Sequence, residues 1–242
     1  MINDPSFLLM ALVAVTVGST LQSMSGLGLA VVASPVLVLI NPNFLPAPIL
    51  TLGCILAALN CARYRHQLKF GNIQLALLGR IPGSVLGVFL LVLLPPIFFA
   101  ICFSVFIILT VLMTYRHINI SHSSRNLVFA GFCSGLMGTT TSVGSPPIAL
   151  VYQNSKVNIV RAELGLFFLI GTLLSLVLLL VSGNISYFQI QLTLPLIPAV
   201  FLGFGLSIWL DRYLEQRYLK PLIAILSLGS CSVILLKAFF TL

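Results

Sequence analysis

Acidic residues are nearly missing from this 242-residue chain: Asp4, Glu163, Asp211 and Glu215 are all it has. Only Glu163 stands where it can enter an apolar run, which disfavours a carboxylate-rich cation site or a membrane proton relay. Charge of either sign is scarce at 7% of residues, against about 25% in an ordinary globular domain. No histidine falls inside an apolar run, since His66, His117 and His122 all sit in basic loops. The five cysteines, at 54, 61, 102, 133 and 231, form no CxxC pair and no metal-site spacing to a histidine. They read as small core residues, so no metal site, disulfide framework or cofactor is expected. Met1-Ile-Asn-Asp4 has no basic residue ahead of the first apolar run, and no small-residue pattern ends that run cleanly. A cleavable signal peptide is therefore not expected.

What the chain does have is apolar sequence. Hydrophobic residues make up 59% and the mean hydropathy is +1.16, the composition of an all-α polytopic integral membrane protein. The formal charge of +8 sits mostly in short loops between apolar spans, not interleaved along an aromatic surface. It reports topology and gives no reason to expect a nucleic-acid partner.

One stretch interrupts the pattern most strongly. Gly138-Thr-Thr-Thr-Ser-Val-Gly-Ser-Pro-Pro147 places four consecutive hydroxyls, two glycines and a double proline between apolar flanks. The flanks, 127–137 and 148–151, fall short of the roughly 20 residues that a bilayer core requires. The polar turn is thus expected inside the membrane, where irregular backbone survives only if buried in protein or lining a cavity. A second break lies in the first half. Residues 6–40 would extend about 52 Å as one helix, too long for a single crossing, and are interrupted by Ser23-Met-Ser-Gly-Leu-Gly28 ahead of Ser34-Pro35. One interrupted segment per half is the sign of a transporter built from repeats.

Further spans are expected at 48–62, 73–94, 97–115, 163–181, 189–210 and 221–240. The basic loops 63–69, 116–125 and 211–220, with the milder 154–161, are placed in the cytoplasm. The uncharged loops 41–46, 95–96 and 182–186 go outside, and both termini follow them there. On this assignment 6–40 and 126–153 are mirror-image hairpins. Ile73-Gln-Leu-Ala-Leu77 echoes Ile190-Gln-Leu-Thr-Leu194, and Pro82 to Gly87 repeats the five-residue step from Pro198 to Gly203. The expected architecture is an inverted-topology repeat of two four-segment halves, 1–120 and 121–242, each beginning with a broken, re-entrant helical hairpin.

Half-helix N-termini at the two breaks offer unpaired N–H groups and positive dipole ends, which favour an anion. Ser23, Ser25, Gly26 and Gly28 would face Thr139, Thr140, Thr141, Ser142, Gly144 and Ser145 near the bilayer midplane. Glycines admit close backbone approach and hydroxyls donate to oxyanion oxygens. Arg80 lies about 10 Å into its span, at a depth where a charge faces a partner or a polar cavity unless it snorkels back to the surface. Arg161 and Glu163 stand at a cytoplasmic boundary as gating or coupling candidates, the plainer reading being a topology anchor with a local ion pair. Gln22, Asn60, Gln153 and Thr172 are further polar candidates.

At these residues the chain resembles the TauE/SafE family of sulfite-exporter-like anion transporters. The resemblance covers nearly the whole chain. It rests on Gly26-Leu-Gly28 to Pro35, on Gly138 to Pro147, on Arg63-Tyr-Arg65 followed by Arg80-Ile-Pro82-Gly83-Ser-Val-Leu-Gly87, and on Arg161-Ala-Glu163-Leu. It implies transport of small, often sulfur-containing anions such as sulfite, thiosulfate or sulfonates, by a multi-pass protein of the plasma (inner) membrane. The expected partners are that anion and the lipid bilayer, and a homo-oligomer is allowed. Two other classes compete with transport: an accessory membrane subunit without transport, and an intramembrane serine hydrolase using Ser134 or Ser142. The hydrolase lacks a base, because no histidine lies in a span and the one lysine that does, Lys237, sits near the outer end of the last.

Overall fold

The computed structural model describes residues 4–26, 28–68, 70–93, 120–153 and 157–213, with single positions 98, 105 and 155. Among them every regular element is helical: α1 (Pro5–Ser25), α2 (Leu29–Ile40), α3 (Ala47–Tyr64), α4 (Phe70–Leu93), α5 (Ser124–Thr141), α6 (Ser145–Tyr152), α7 (Val157–Val181), α8 (Tyr187–Thr193) and α9 (Ile197–Leu210). Single 3-10 turns cover Pro42–Phe44, Arg65–Gln67 and Leu194–Leu196. The expected spans at 97–115 and 221–240 lie outside the described residues, as do His117, Cys102, Cys231 and Lys237.

Among the described residues, five helical stretches are long and apolar enough to cross a membrane: 5–25, 42–67, 73–93, 159–181 and 187–210. Large apolar side chains stay exposed along them, among them Leu78, Val85 and Phe89 on α4, Val177 and Leu180 on α7, and Phe201 and Leu202 on α9. In water such surface would be costly, whereas against lipid tails it costs nothing. The chain is thus a multi-pass membrane protein.

Both expected breaks are present, and each has a backbone cause. α1 ends at Gly26 (φ 82°), and Gly28 (φ 147°) opens α2. α5 ends at Ser142, which takes φ 65° despite carrying a side chain. The two broken segments differ in the lengths of their helices. α1 has 21 residues, enough for a crossing, so the first break follows a full-length helix and precedes a short one of 12. The segment at 189–210 is also not one smooth helix: Pro195 and Pro198 remove two backbone donors, and a 3-10 turn separates α8 from α9.

Packing crosses the middle of the chain. α4 lies along α5, α1 along α9, and α3 along α7. The α4–α5 contact is set by glycine: a Cβ built on Gly79, Gly83 or Gly131 would fall 1.9, 2.1 or 1.9 Å from a backbone carbonyl oxygen of the facing helix. Gly203 plays this part on α9, where a Cβ would stand 2.5 Å from Thr16 O of α1. Small residues at such crossings let helices in lipid approach to van der Waals contact. One apolar cluster joins α1, α2, α3 and α9 around Val15, Ala33, Leu52 and Val200; another joins α4 to α7 around Leu127, Ile148, Leu164 and Phe167.

Candidate functional site

The two breaks are staggered along α3. Ser142 Oγ donates to Pro46 O at the start of α3, at 2.9 Å. Gly26 shares a small cavity with Ala57 and Asn60, about 16 to 21 Å further along at 1.5 Å per residue. Between these levels lies the central cavity. Gln22 and Leu29 from the first break, Ile49 and Gly53 from α3, Arg80 from α4, and Ser142, Gly144 and Ser145 from the second break all line it, with Phe168 and Thr172 on the far wall. The first residues of α2 and α6 therefore meet one space. Its volume, about 30 Å³ measured to the centres of water-sized groups, suits a few waters or one small polyatomic ion.

Arg80 dominates the electrostatics. It is 1% exposed, and among the described residues no acid lies within salt-bridge distance of it. A buried unpaired charge costs several kcal/mol, so the surroundings must offset part of that cost. Arg80 Nη1 donates to Ser134 Oγ at 3.1 Å, and that hydroxyl donates in turn to Gly144 O. The guanidinium also lies 4.7 Å from the Phe167 ring centroid, a cation–π contact. Its Nε has no partner among the described residues. Gly171 makes room for it, since a Cβ there would fall 1.8 Å from Nε. Pro82, two residues along α4, leaves a helix position without a donor beside this region.

The second break folds back on α5 because Gly138 and Gly144 touch: a Cβ on Gly144 would meet Ser134 O at 2.6 Å and Gly138 Cα at 3.2 Å. The hydroxyl run divides. Ser142 and Ser145 line the cavity. Thr139 is paired with Ser175 at 2.8 Å, while Thr140 and Thr141 donate to Leu136 O and Met137 O of their own helix. In the first break, Ser23 and Gly26 line the smaller cavity and Ser25 Oγ donates to Leu21 O. Gln22 lines both cavities, and its Oε1 accepts from Leu29 N, capping α2 at the bend. Gly28 lines neither and supplies the turn. Thr172 lines the central cavity and Asn60 the smaller one, whereas Gln153 ends α6 away from both.

Arg161 and Glu163 do not pair with each other. Arg161 Nη1 and Nη2 grip the two oxygens of Asp211 at 2.7 Å each, and its Nε donates to Met24 O at 2.6 Å. Glu163 instead accepts from Tyr152 OH at 2.6 Å. Asp211 and Tyr64 as partners of Arg161, and Ser134, Phe167 and Gly171 as the bed of Arg80, are not legible in the sequence. Phe167 and Gly171 stand one turn apart on α7, a spacing that marks one face but does not say which helix it meets. Ser134 and Ser142, the hydrolase candidates, both donate to backbone carbonyls, and neither has a His, Lys or carboxylate partner among the described residues.

A family model described as sulfite exporter TauE/SafE matches residues 10–234. No curated protein and no solved structure matches the chain. The match takes in both breaks, α4 with Arg80, and the Arg161–Asp211 pair, so the chain belongs to the TauE/SafE sulfite exporter family, whose members are membrane transporters of anions and not enzymes.

Proposed function

We propose that the chain is a secondary transporter of small, sulfur-containing oxyanions of the sulfite, thiosulfate or sulfonate type, working by alternating access in the plasma (inner) membrane. The observation that carries this reading is Arg80, a fully buried guanidinium lining a small cavity at the start of two short helices. An anion there would neutralise Arg80 and meet the positive ends of α2 and α6. Ser142, Gly144 and Ser145 on one side and Gln22 on the other would supply its polar contacts, with Ser23 and Gly26 in the adjoining smaller cavity. Thr139, Thr140, Thr141, Ser25 and Gly28 would hold the two turns in shape. Pro146 and Pro147 carry no N–H, which shifts recognition at α6 from the backbone towards side chains.

Support for an inverted repeat comes from the packing. Exchanging the halves maps α1 against α9 onto α5 against α4, and α3 against α7 onto itself. Both crossings are glycine-mediated. The proposed orientation keeps the basic loops cytoplasmic and the termini outside. An anion driven outward by an inside-negative potential gains about 2.3 kcal/mol per charge per 100 mV, so export needs no coupling ion.

The test is counterflow in proteoliposomes with labelled sulfite, thiosulfate, a short sulfonate and a carboxylate, comparing the unaltered chain with Thr140→Val/Ser142→Ala. Saturable flux of a sulfur oxyanion, lost in the folded double variant, is expected. Absence of flux for every anion from folded protein would refute the reading and return the accessory-subunit role.

A further inference from the structure

The cluster where α3 and α9 end and α7 begins is not explained by the central cavity. Arg161 is 6% exposed, and Asp211 holds its fork with both oxygens. Arg63 Nη2 reaches the same carboxylate at 3.1 Å, and Tyr64 OH accepts from Arg161 Nη1 at 3.2 Å. On its other side Arg161 forms a wall of the smaller cavity, of about 10 Å³ on the same measure, together with Gln22, Ser23, Gly26 and Asn60. Gln22 and Phe168 belong to both cavities, so the smaller one lies between the central cavity and the cluster. Ser23 Oγ and Asn60 Oδ1, both more than nine-tenths buried, have no hydrogen-bond partner among the described residues.

An arginine fork that binds a carboxylate through two oxygens is shaped for any ligand with two oxygens on one centre, a sulfite or sulfonate included. We infer that Arg161 is a second oxyanion station, occupied at rest by the chain's own Asp211, and that an oxyanion arriving through the smaller cavity displaces that carboxylate and unlocks this end of the path. The inference rests on the transport reading and extends it. Displacement exchanges one oxyanion for another on the same fork, and the released carboxylate keeps Arg63 as its partner. Once Asp211 lets go, the bidentate tie between α7 and the end of α9 is gone. Chloride, with one centre of charge and no paired oxygens, does not replace it.

The test uses the full chain in proteoliposomes, with its native cysteines replaced and Ala57→Cys introduced. Ala57 is 1% exposed and lines the smaller cavity, so alkylation of a thiol there by a membrane-impermeant maleimide reports opening. Ethanesulfonate should raise the alkylation rate about tenfold over equimolar chloride, a coupling of ordinary allosteric size. Asp211→Asn should give the fast rate without ethanesulfonate. Arg63→Gln, at a side chain 22% exposed, leaves Asp211 with Arg161 alone and should raise the half-maximal ethanesulfonate concentration; a merely structural tie would instead loosen and label faster in chloride. Alkylation indifferent to ethanesulfonate in the unaltered cluster, or faster labelling of Arg63→Gln in chloride, overturns the station. Ethanesulfonate-dependent alkylation with no flux of any anion would uphold the station and sink the transport reading instead.

Discussion

At the scale of single residues, the chain concentrates its meaning in two buried arginines with opposite surroundings. Arg161 has a carboxylate, a phenol and a backbone carbonyl; Arg80 has a hydroxyl, two aromatic rings and a glycine. A guanidinium that has been desolvated without a counter-ion is poised for an anion. Arg80→Gln should therefore lower counterflow by about 10- to 100-fold, the worth of one charge-assisted hydrogen bond. Gly171→Ala reaches the same end by another route, because its methyl would occupy the place of Arg80 Nε. Flux should fall in Gly171→Ala as in Arg80→Gln, and equal flux to the unaltered chain would show that Arg80 does not need this seat. Position 80 was legible as an unusual charge in an apolar run. Its bed was not, because Ser134, Phe167 and Gly171 lie on other helices, 54 to 91 residues away.

At the scale of elements, glycine decides which helices touch. Gly79, Gly83 and Gly131 bring α4 and α5 to backbone contact, and a valine at any of them must push the helices apart. Gly83→Val should destabilise the folded protein by about 1–3 kcal/mol or more, the usual cost of overpacking, read as a lower melting temperature in detergent. Gly205→Ala is the control, since nothing lies within 4 Å of a Cβ there, and its melting temperature should hold or rise slightly. The breaks after Ser25 and Thr141 could be read from glycine, serine and proline alone, because those residues act through local backbone geometry. The length of α1 could not: Ser23-Met-Ser-Gly reads as an interruption, yet helix persists through Ser25, where Leu21 and Met24 of the last turn are buried against Val32 of α2.

At the scale of the whole molecule, the halves are interlaced. α1 finds its long partner α9 in the second half, and α4 finds α5 there, so each half alone leaves an apolar seam without cover. Residues 1–120 or 121–242 expressed singly should be degraded, and the two expressed together should restore counterflow; a stable single half would show that the seams close within a repeat. Class and membrane character followed from composition, which is a global property. The stagger of the breaks and the Arg161–Asp211 tie did not, because both depend on how the start of α7 meets the ends of α3 and α9. On the proposed reading, an oxyanion that pairs with the lone guanidinium of Arg80 also offsets the cost of burying that charge. Occupancy and structural integrity are then one equilibrium: an oxyanion at 100 times its dissociation constant should add about 2.7 kcal/mol to the stability of the fold. Its removal by dialysis should lower the melting temperature, and sulfite or a sulfonate, but not chloride, should restore it. A buffer anion left in during purification would then act as part of the protein's own scaffold.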